Sequence, residues 1–230
     1  MGLIKSVRRW LASEVRIRID SGNTVKLPRR KTFKKLDIRV SGHGNTVEVG
    51  CIKGHSNELK IHVYGDNNTV KIGEQKFFNA NINIGYSDIP LTGASLQIGQ
   101  GYGIVGAEFI LMEDDSHISI GRDCIISSGV LIWCTDAHAI LDREGRLINE
   151  GKSIEIGNRV WVGKDVYICK NSSIADDCII GWKSVVTGRH AESNVILAGT
   201  PARTVKRDIS WDARRPKDYL KYYNSDEFHR

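Results

Sequence analysis

The chain has 230 residues, 40% hydrophobic and 26% charged, a composition that excludes a disordered or fibrous polymer and allows a sizeable buried core. Twenty-three glycines against four prolines suit many tight turns, and a formal charge of +6 suits nucleic acid, an acidic membrane surface, an acidic glycan or a phosphorylated cofactor. No apolar run reaches the length of a signal peptide or membrane span, and the five cysteines contain no CxxC pair, so reduced thiols and a cytoplasmic location are expected.

The first segment, "MGLIKSVRRWLASEV", places Leu3, Val7, Trp10 and Leu11 on one side of a basic amphipathic helix over residues 2–14. That helix suits either a cap on the end of the domain or peripheral membrane association. Next come copies of one unit. "IRIDSGNTVKL" (17–27), "IRVSGHGNTVEVG" (38–50) and "IHVYGDNNTVKIG" (61–73) each hold two alternating strands around a turn of Gly and Asn, residues that tolerate positive φ. The last two match at an offset of 23 residues: Ile38 with Ile61, Val40 with Val63, Asn45 with Asn68, Val47 with Val70. The style continues through "INIG" (82–85), "LQIG" (96–99) and "ISIG" (118–121).

"GYGIVG" (101–106) fits the GxGxxG pattern of dinucleotide sites, but that pattern works only where a helix opens on it, and strand-like sequence follows. From Ile120 a period of six takes over, with aliphatics at Ile120, Ile126 and Ile132 and then at Ile156, Val162, Ile168, Ile174, Ile180 and Val186. The residue after each of the last six is Gly, Gly, Cys, Ala, Gly or Thr. Neither an amphipathic helix nor a hairpin meander has this period. A solenoid of triangular coils does, with the aliphatic pointing inward, the small residue easing each corner, and parallel ladders joining successive coils. The expected organisation is a single all-β solenoid over 1–230: irregular coils over 1–95, hexapeptide coils over 96–200, and a short helical cap over 201–230 in which Tyr219, Leu220, Tyr222 and Tyr223 seal the last rung.

Between Ile132 and Ile156 lie 24 positions where the count needs six, so a loop over 134–153 leaves the prism and the phase recovers after it. Loops of this length are commonly functional, and His138 sits near its start. The seven histidines show no pair at helical spacing and no Cys/His cluster, so no metal is expected. No basic, aromatic-interleaved motif marks a nucleic-acid partner.

Three blocks in order, "TDAHAI" (135–140), "IEIGNRVWVGKDVYI" (154–168) with its following hexads, and "AGTPAR" (198–203), make the chain resemble the hexapeptide-repeat acyltransferases. That resemblance implies a left-handed parallel β-helix, a homotrimer with active sites between neighbouring prisms, and acetyl-CoA as donor. It also implies His138 as general base, with Asp136 a candidate to orient it, Trp161 facing the groove, and the backbone N–H of Lys164 as oxyanion donor. The same matching sets Gly163, Trp182 and Thr187 along the pantetheine channel and Arg203 with Lys206 at the CoA phosphates. Trp182 replaces the small residue usual there. On the acceptor side the galactoside branch's asparagine is replaced, at Ala107 or Glu108, so a galactoside is not indicated. The activity implied is O-acetylation of a sugar hydroxyl, on a carbohydrate acceptor such as a capsular or lipopolysaccharide glycan. The alternatives are N-acetylation of an amino-sugar nucleotide and a non-catalytic glycan-binding solenoid.

Overall fold

The computed structural model describes residues 14–28, 33–54, 56–151 and 153–225. The amphipathic segment expected over residues 2–14 lies outside the described residues except for Glu14, which begins a strand.

A coil closes when aliphatic side chains from every side meet at its axis, and the hexads supply one every six positions. Ile120, Ile126, Ile132, Ile156, Val162, Ile168, Ile174, Ile180 and Val186 are all 3% exposed or less. They stand in three columns. On the first face β12 (Ile125–Ile126), β15 (Trp161–Val162), β18 (Ile179–Ile180) and β21 (Ile196–Gly199) run parallel, with Ile126, Val162, Ile180 and Leu197 in register. On the second, β13 (Val130–Cys134), β16 (Tyr167–Cys169) and β19 (Val185–Val186) stack Ile132 on Ile168 on Val186. The third holds β11 (His117–Ile120), β14 (Ser153–Ile156), β17 (Ser173–Ile174) and β20 (Arg189–His190). Val162 pairs with Ile180, 18 positions on, whereas Ile126 pairs with Val162, 36 positions on. The loop therefore adds one coil's length of chain without disturbing the register.

Most upstream coils are built from two strands instead of three. Long strands β1 (Glu14–Ile19), β3 (Phe33–Ser41), β5 (Ser56–Asp66), β7 (Gln75–Ile84) and β10 (Gly101–Leu111) are separated by short ones, β2 (Thr24–Lys26), β4 (Thr46–Val49), β6 (Thr69–Ile72) and β9 (Ser95–Ile98), and between β7 and β9 a third, β8 (Leu91–Thr92), pairs with the end of β5. The short strands lead straight into the third face, in the order β2-β4-β6-β9-β11-β14-β17-β20. Strand β10 shows how the two styles join. Its Gly103 and Ile104 pair with β12 while Ala107 to Leu111 pair with β13, so one long strand rounds a corner that later coils break into two strands. The 23-residue match is the observed register, Ile38 beside Ile61 and Val47 beside Val70, and the earlier copy joins it with Ile17 beside Ile38.

The GxGxxG segment is strand throughout, with no helix after it. Gly103 has φ +123° and a Cβ there would stand 1.9 Å from the Phe77 carbonyl oxygen, which explains the glycine by coil contact alone. At the hexad corners the small residue answers the same crowding: a Cβ on Gly121 would stand 2.6 Å from the Gly157 oxygen.

In the upstream turns a side-chain ladder replaces corner packing. The Asn45 N–H donates to Asn23 Oδ1, the Asn68 N–H to Asn45 Oδ1 and the Ala94 N–H to Asn68 Oδ1, each at 2.9 Å. The amide groups return the bond, Asn45 Nδ2 to the Gly65 carbonyl at 2.7 Å and Asn68 Nδ2 to that of Leu91 at 2.8 Å. Asn45 and Asn68 are buried, and each satisfies both a donor and an acceptor of an adjoining coil.

After β21 the chain turns back as β22 (Ala202–Lys206), antiparallel to it, and ends in α1 (Pro216–Tyr223). The helix exists as expected, but it seals nothing: none of its residues is buried, and Leu220 is 60% exposed. The segment before the helix is tied to the solenoid at Ile209, whose backbone N–H and carbonyl bond the carbonyl and side-chain amide of Asn194, and at Trp211, whose Nε1–H donates to the Arg159 carbonyl at 2.7 Å. Among the described residues no helix is long and apolar enough to cross a membrane.

Replacing Asn68 with alanine leaves the Ala94 N–H and the Leu91 carbonyl unmatched inside the turn. A loss of about 2–3 kcal/mol in denaturant unfolding is expected, and less for Asn23→Ala at the exposed end of the ladder.

Candidate active site

The three faces meet at three corners, and the expected site residues divide among them. The corner between the second and third faces carries the loop that leaves after β13 and returns at β14, with Asp136 and His138 on its outgoing limb. Thr187 lies at the same corner, following β19. The corner between the first and second faces carries Gly163 and Lys164 after β15 and Trp182 after β18. Trp161 lies on the first face, and Arg203 and Lys206 lie on β22 beside that face's last strand. A whole face of one prism, β13 with β16 and β19, therefore separates His138 from Lys164.

The outgoing limb is shaped by local bonds. Thr135 Oγ1 accepts from the Ala137 N–H at 2.8 Å, Ala137 takes φ +62°, and the His138 N–H donates to the Asp136 carbonyl at 2.7 Å. The His138 side chain is thereby carried outward and is exposed. The Asp136 carboxylate is directed elsewhere: it accepts from Asn149 Nδ2 at 2.9 Å and pairs with the Lys170 ammonium at 2.9 Å. Bonding from Asn149 first, then Lys170, holds this carboxyl below the usual aspartate range. Further out the loop forms a small hairpin in which Leu141 bridges Leu147, and Asp142 Oδ1 accepts from the N–H groups of Glu144 and Arg146.

At the first-second corner the coil ladder takes the neighbours of Lys164. The Gly163 N–H donates to the Ile180 carbonyl at 2.9 Å, the Asp165 N–H to that of Ser128 at 3.0 Å, and the Lys164 carbonyl accepts from the Lys183 N–H. Trp182 lies directly over Gly163: a Cβ on that glycine would stand 2.6 Å from Trp182 Cδ1. Trp182 is 71% exposed, a large apolar surface at this corner. Trp161 has a neighbour in its own chain, the Trp211 ring at 6.3 Å between centroids. Arg203 and Lys206 are exposed on β22.

Sequence reasoning missed Trp211, Lys170 and Asn149. Trp211 was legible only as an aromatic in a polar tail, and Lys170 and Asn149 only as ordinary turn and loop residues. An open groove on the third face, lined by Ser95, His117, Glu155, Arg189 and His190 among others, contains none of the expected site residues. Its His117 Nε2 lies 3.7 Å from Glu155 Oε1.

No family model matches the chain. In sequence it is 31% identical over 117 residues to a polysialic acid O-acetyltransferase of Escherichia coli O1:K1 / APEC, a match covering 50% of this chain and 38% of that protein. Among solved structures it is similar to the polySia specific acetyltransferase NeuO, with TM-score 0.62, 25% identity and coverage of 88% of this chain and 95% of the other. It is also similar to the polysialic acid O-acetyltransferase OatWY, with TM-score 0.59, 29% identity and coverage of 86% and 88%.

Thiol reactivity provides a check on the coil interior that frames these corners. Burial pushes the Cys124 thiol up to about 11 and that of Cys134 to about 12, whereas Cys51 is exposed. At pH 8 iodoacetamide should label Cys51 first and leave Cys124 and Cys134 unmodified until the chain is denatured, as read by peptide mass spectrometry. Coil, loop and likeness together bear out the resemblance to the hexapeptide-repeat acyltransferases.

Proposed function

We propose that the chain transfers an acetyl group from acetyl-CoA to a hydroxyl of an acidic capsular glycan of the polysialic acid kind. The observation that carries this reading is the likeness to two polysialic acid acetyltransferases, which extends over the irregular upstream coils as well as the hexads. The formal charge of +6 suits a polyanionic acceptor. The sequence match spans about 38% of the length of the curated relative, so the acceptor is carried over as a proposal.

The chemistry follows from what a sugar hydroxyl requires. Its proton must leave as its oxygen attacks the thioester carbonyl, and imidazole is the side chain suited to that task near neutral pH. His138 takes the proton. The new C–O bond turns the carbonyl into an oxyanion, and the donor proposed for it is the Lys164 N–H. Collapse breaks the C–S bond, and the departing thiolate recovers the proton from the imidazolium, leaving free CoA and the acetyl ester. Gly163, Trp182 and Thr187 would flank the pantetheine arm, and Arg203 with Lys206 would meet the phosphates.

One chain holds His138 and Lys164 a face apart, so the reading needs a second copy. Each chain offers one loop and one first-second corner, so a contact between these two surfaces is heterologous and repeats from copy to copy, closing into a ring where its rotation allows. The assembly we propose is a homotrimer with three equivalent clefts.

The test is acetyl-CoA-dependent thiol release with polysialic acid against a panel of neutral glycans and amino-sugar nucleotides. His138→Ala should lower kcat by about 10²–10⁴-fold with an unchanged melting temperature. Full activity in that variant would remove His138 as the base, and transfer to an amine alone would overturn the choice of acceptor.

A further inference from the structure

The loop that carries His138 is held to the following coil by a largely shielded cation, beside the Asn171 amide, which bonds the Glu150 carbonyl at 3.1 Å. Lys170 follows β16, in the coil after the one from which the loop departs. Its side chain is 10% exposed, unusual for a lysine. The ammonium pairs with Asp136 Oδ2 on the outgoing limb at 2.9 Å and donates to the Asn149 carbonyl on the returning limb. Its alkyl stem passes under Gly151, where a Cβ would stand 2.6 Å from Lys170 Cδ. Asn149 completes the join. Its Nδ2 donates to Asp136 Oδ2 and to the His138 carbonyl, both at 2.9 Å, and its Oδ1 accepts from the Ile140 N–H at 2.9 Å.

We propose that Lys170, acting with Asn149, is a positioning residue for the reaction: it clasps both limbs of the loop to the following coil and so fixes the place and direction of the His138 backbone. The inference rests on the reading of His138 as the base. Without the ammonium, Asp136 and Asn149 lose their shared partner; the Asn171 amide still bonds the Glu150 carbonyl on the returning limb, but the outgoing limb loses its ion pair to the following coil. The coil itself is built from other groups, since Ile168 and Val166 fill the core beside Lys170 and the Asn171 N–H bonds the Ser153 carbonyl. A base displaced by about 1 Å costs on the order of 10²-fold in rate. The loss should therefore fall on kcat and leave the binding of acetyl-CoA alone.

The experiment compares wild type, Lys170→Met, Lys170→Arg, His138→Ala and the double variant His138→Ala/Lys170→Met in the full-length protein. Thiol release with acetyl-CoA and polysialic acid gives kcat and KM, and thermal unfolding gives the melting temperature. Lys170→Met should lose about 10- to 100-fold in kcat, with KM for acetyl-CoA within about twofold and a melting temperature within a few degrees. Lys170→Arg, which keeps the cation, should recover most of the rate. Because Lys170 acts through His138, the double variant should be no slower than His138→Ala alone. The proposal is overturned if Lys170→Met keeps its kcat, if it slows the His138→Ala protein by the same factor as the wild type, or if lost activity follows a lost fold and arginine restores neither. Full activity of His138→Ala would instead defeat the assignment of the base, whatever Lys170 does.

Discussion

Everything in this molecule depends on coils that stack in fixed register, each strand giving its backbone groups to the coil above and below while one aliphatic per hexad fills the axis. That arrangement leaves no freedom at the corners, which must turn in two or three residues. Asp123, Arg159, Asp165, Asp177 and Lys183 hold φ between 54° and 58° there. Left-handed backbone at non-glycine residues carries a modest cost, and the ladders on either side offset it. The same rigidity makes the corners good places for chemistry. A side chain or N–H at a corner is positioned by the coil on both sides of it, and anything inserted there must leave and return without shifting the register.

The repeat was the most legible part of the sequence, because burial at a six-residue period admits few other folds. The 23-residue copies were as readable, and Ile38, Ile61 and Val70 stand where the alignment set them. What the pattern did not disclose is that the longer coil arises from a long strand rounding a corner. Alternation looks the same on a straight strand and on a bent one. The asparagines were readable as turn residues, but their ladder, Asn23 to Asn45 to Asn68, needs the coils already stacked.

Other features lay beyond one-dimensional reading for a related reason. Tyr219, Leu220, Tyr222 and Tyr223 look like a seal, yet the helix that bears them buries none of its residues, and Ile209 and Trp211 make the attachment instead. An apolar face says that something should cover it, not what it touches within one chain. Lys170 and Asn149 are 21 positions apart, and their partnership exists because β16 stacks beside β13. The loop itself was found by counting, and His138 and Asp136 are on it. The carboxylate, however, answers to Lys170 and Asn149 rather than to the imidazole ring.

The division of the proposed site residues among corners underlies the central proposal, that a cleft is completed only when the loop of one copy meets the first-second corner of another. The most direct measurement is complementation. His138→Ala lacks the proposed base but has an intact corner, while Gly163→Val fills a corner where a Cβ already meets the Ile180 oxygen and Trp182 at 2.6 Å. Each variant alone should be inactive in acetyl-CoA-dependent transfer. Mixed, unfolded together and refolded, they should regain a substantial fraction of wild-type activity, because some clefts then combine a sound loop with a sound corner. Mixtures that stay inactive at every ratio, although size and mass show mixed assemblies, would contradict a cleft shared between copies.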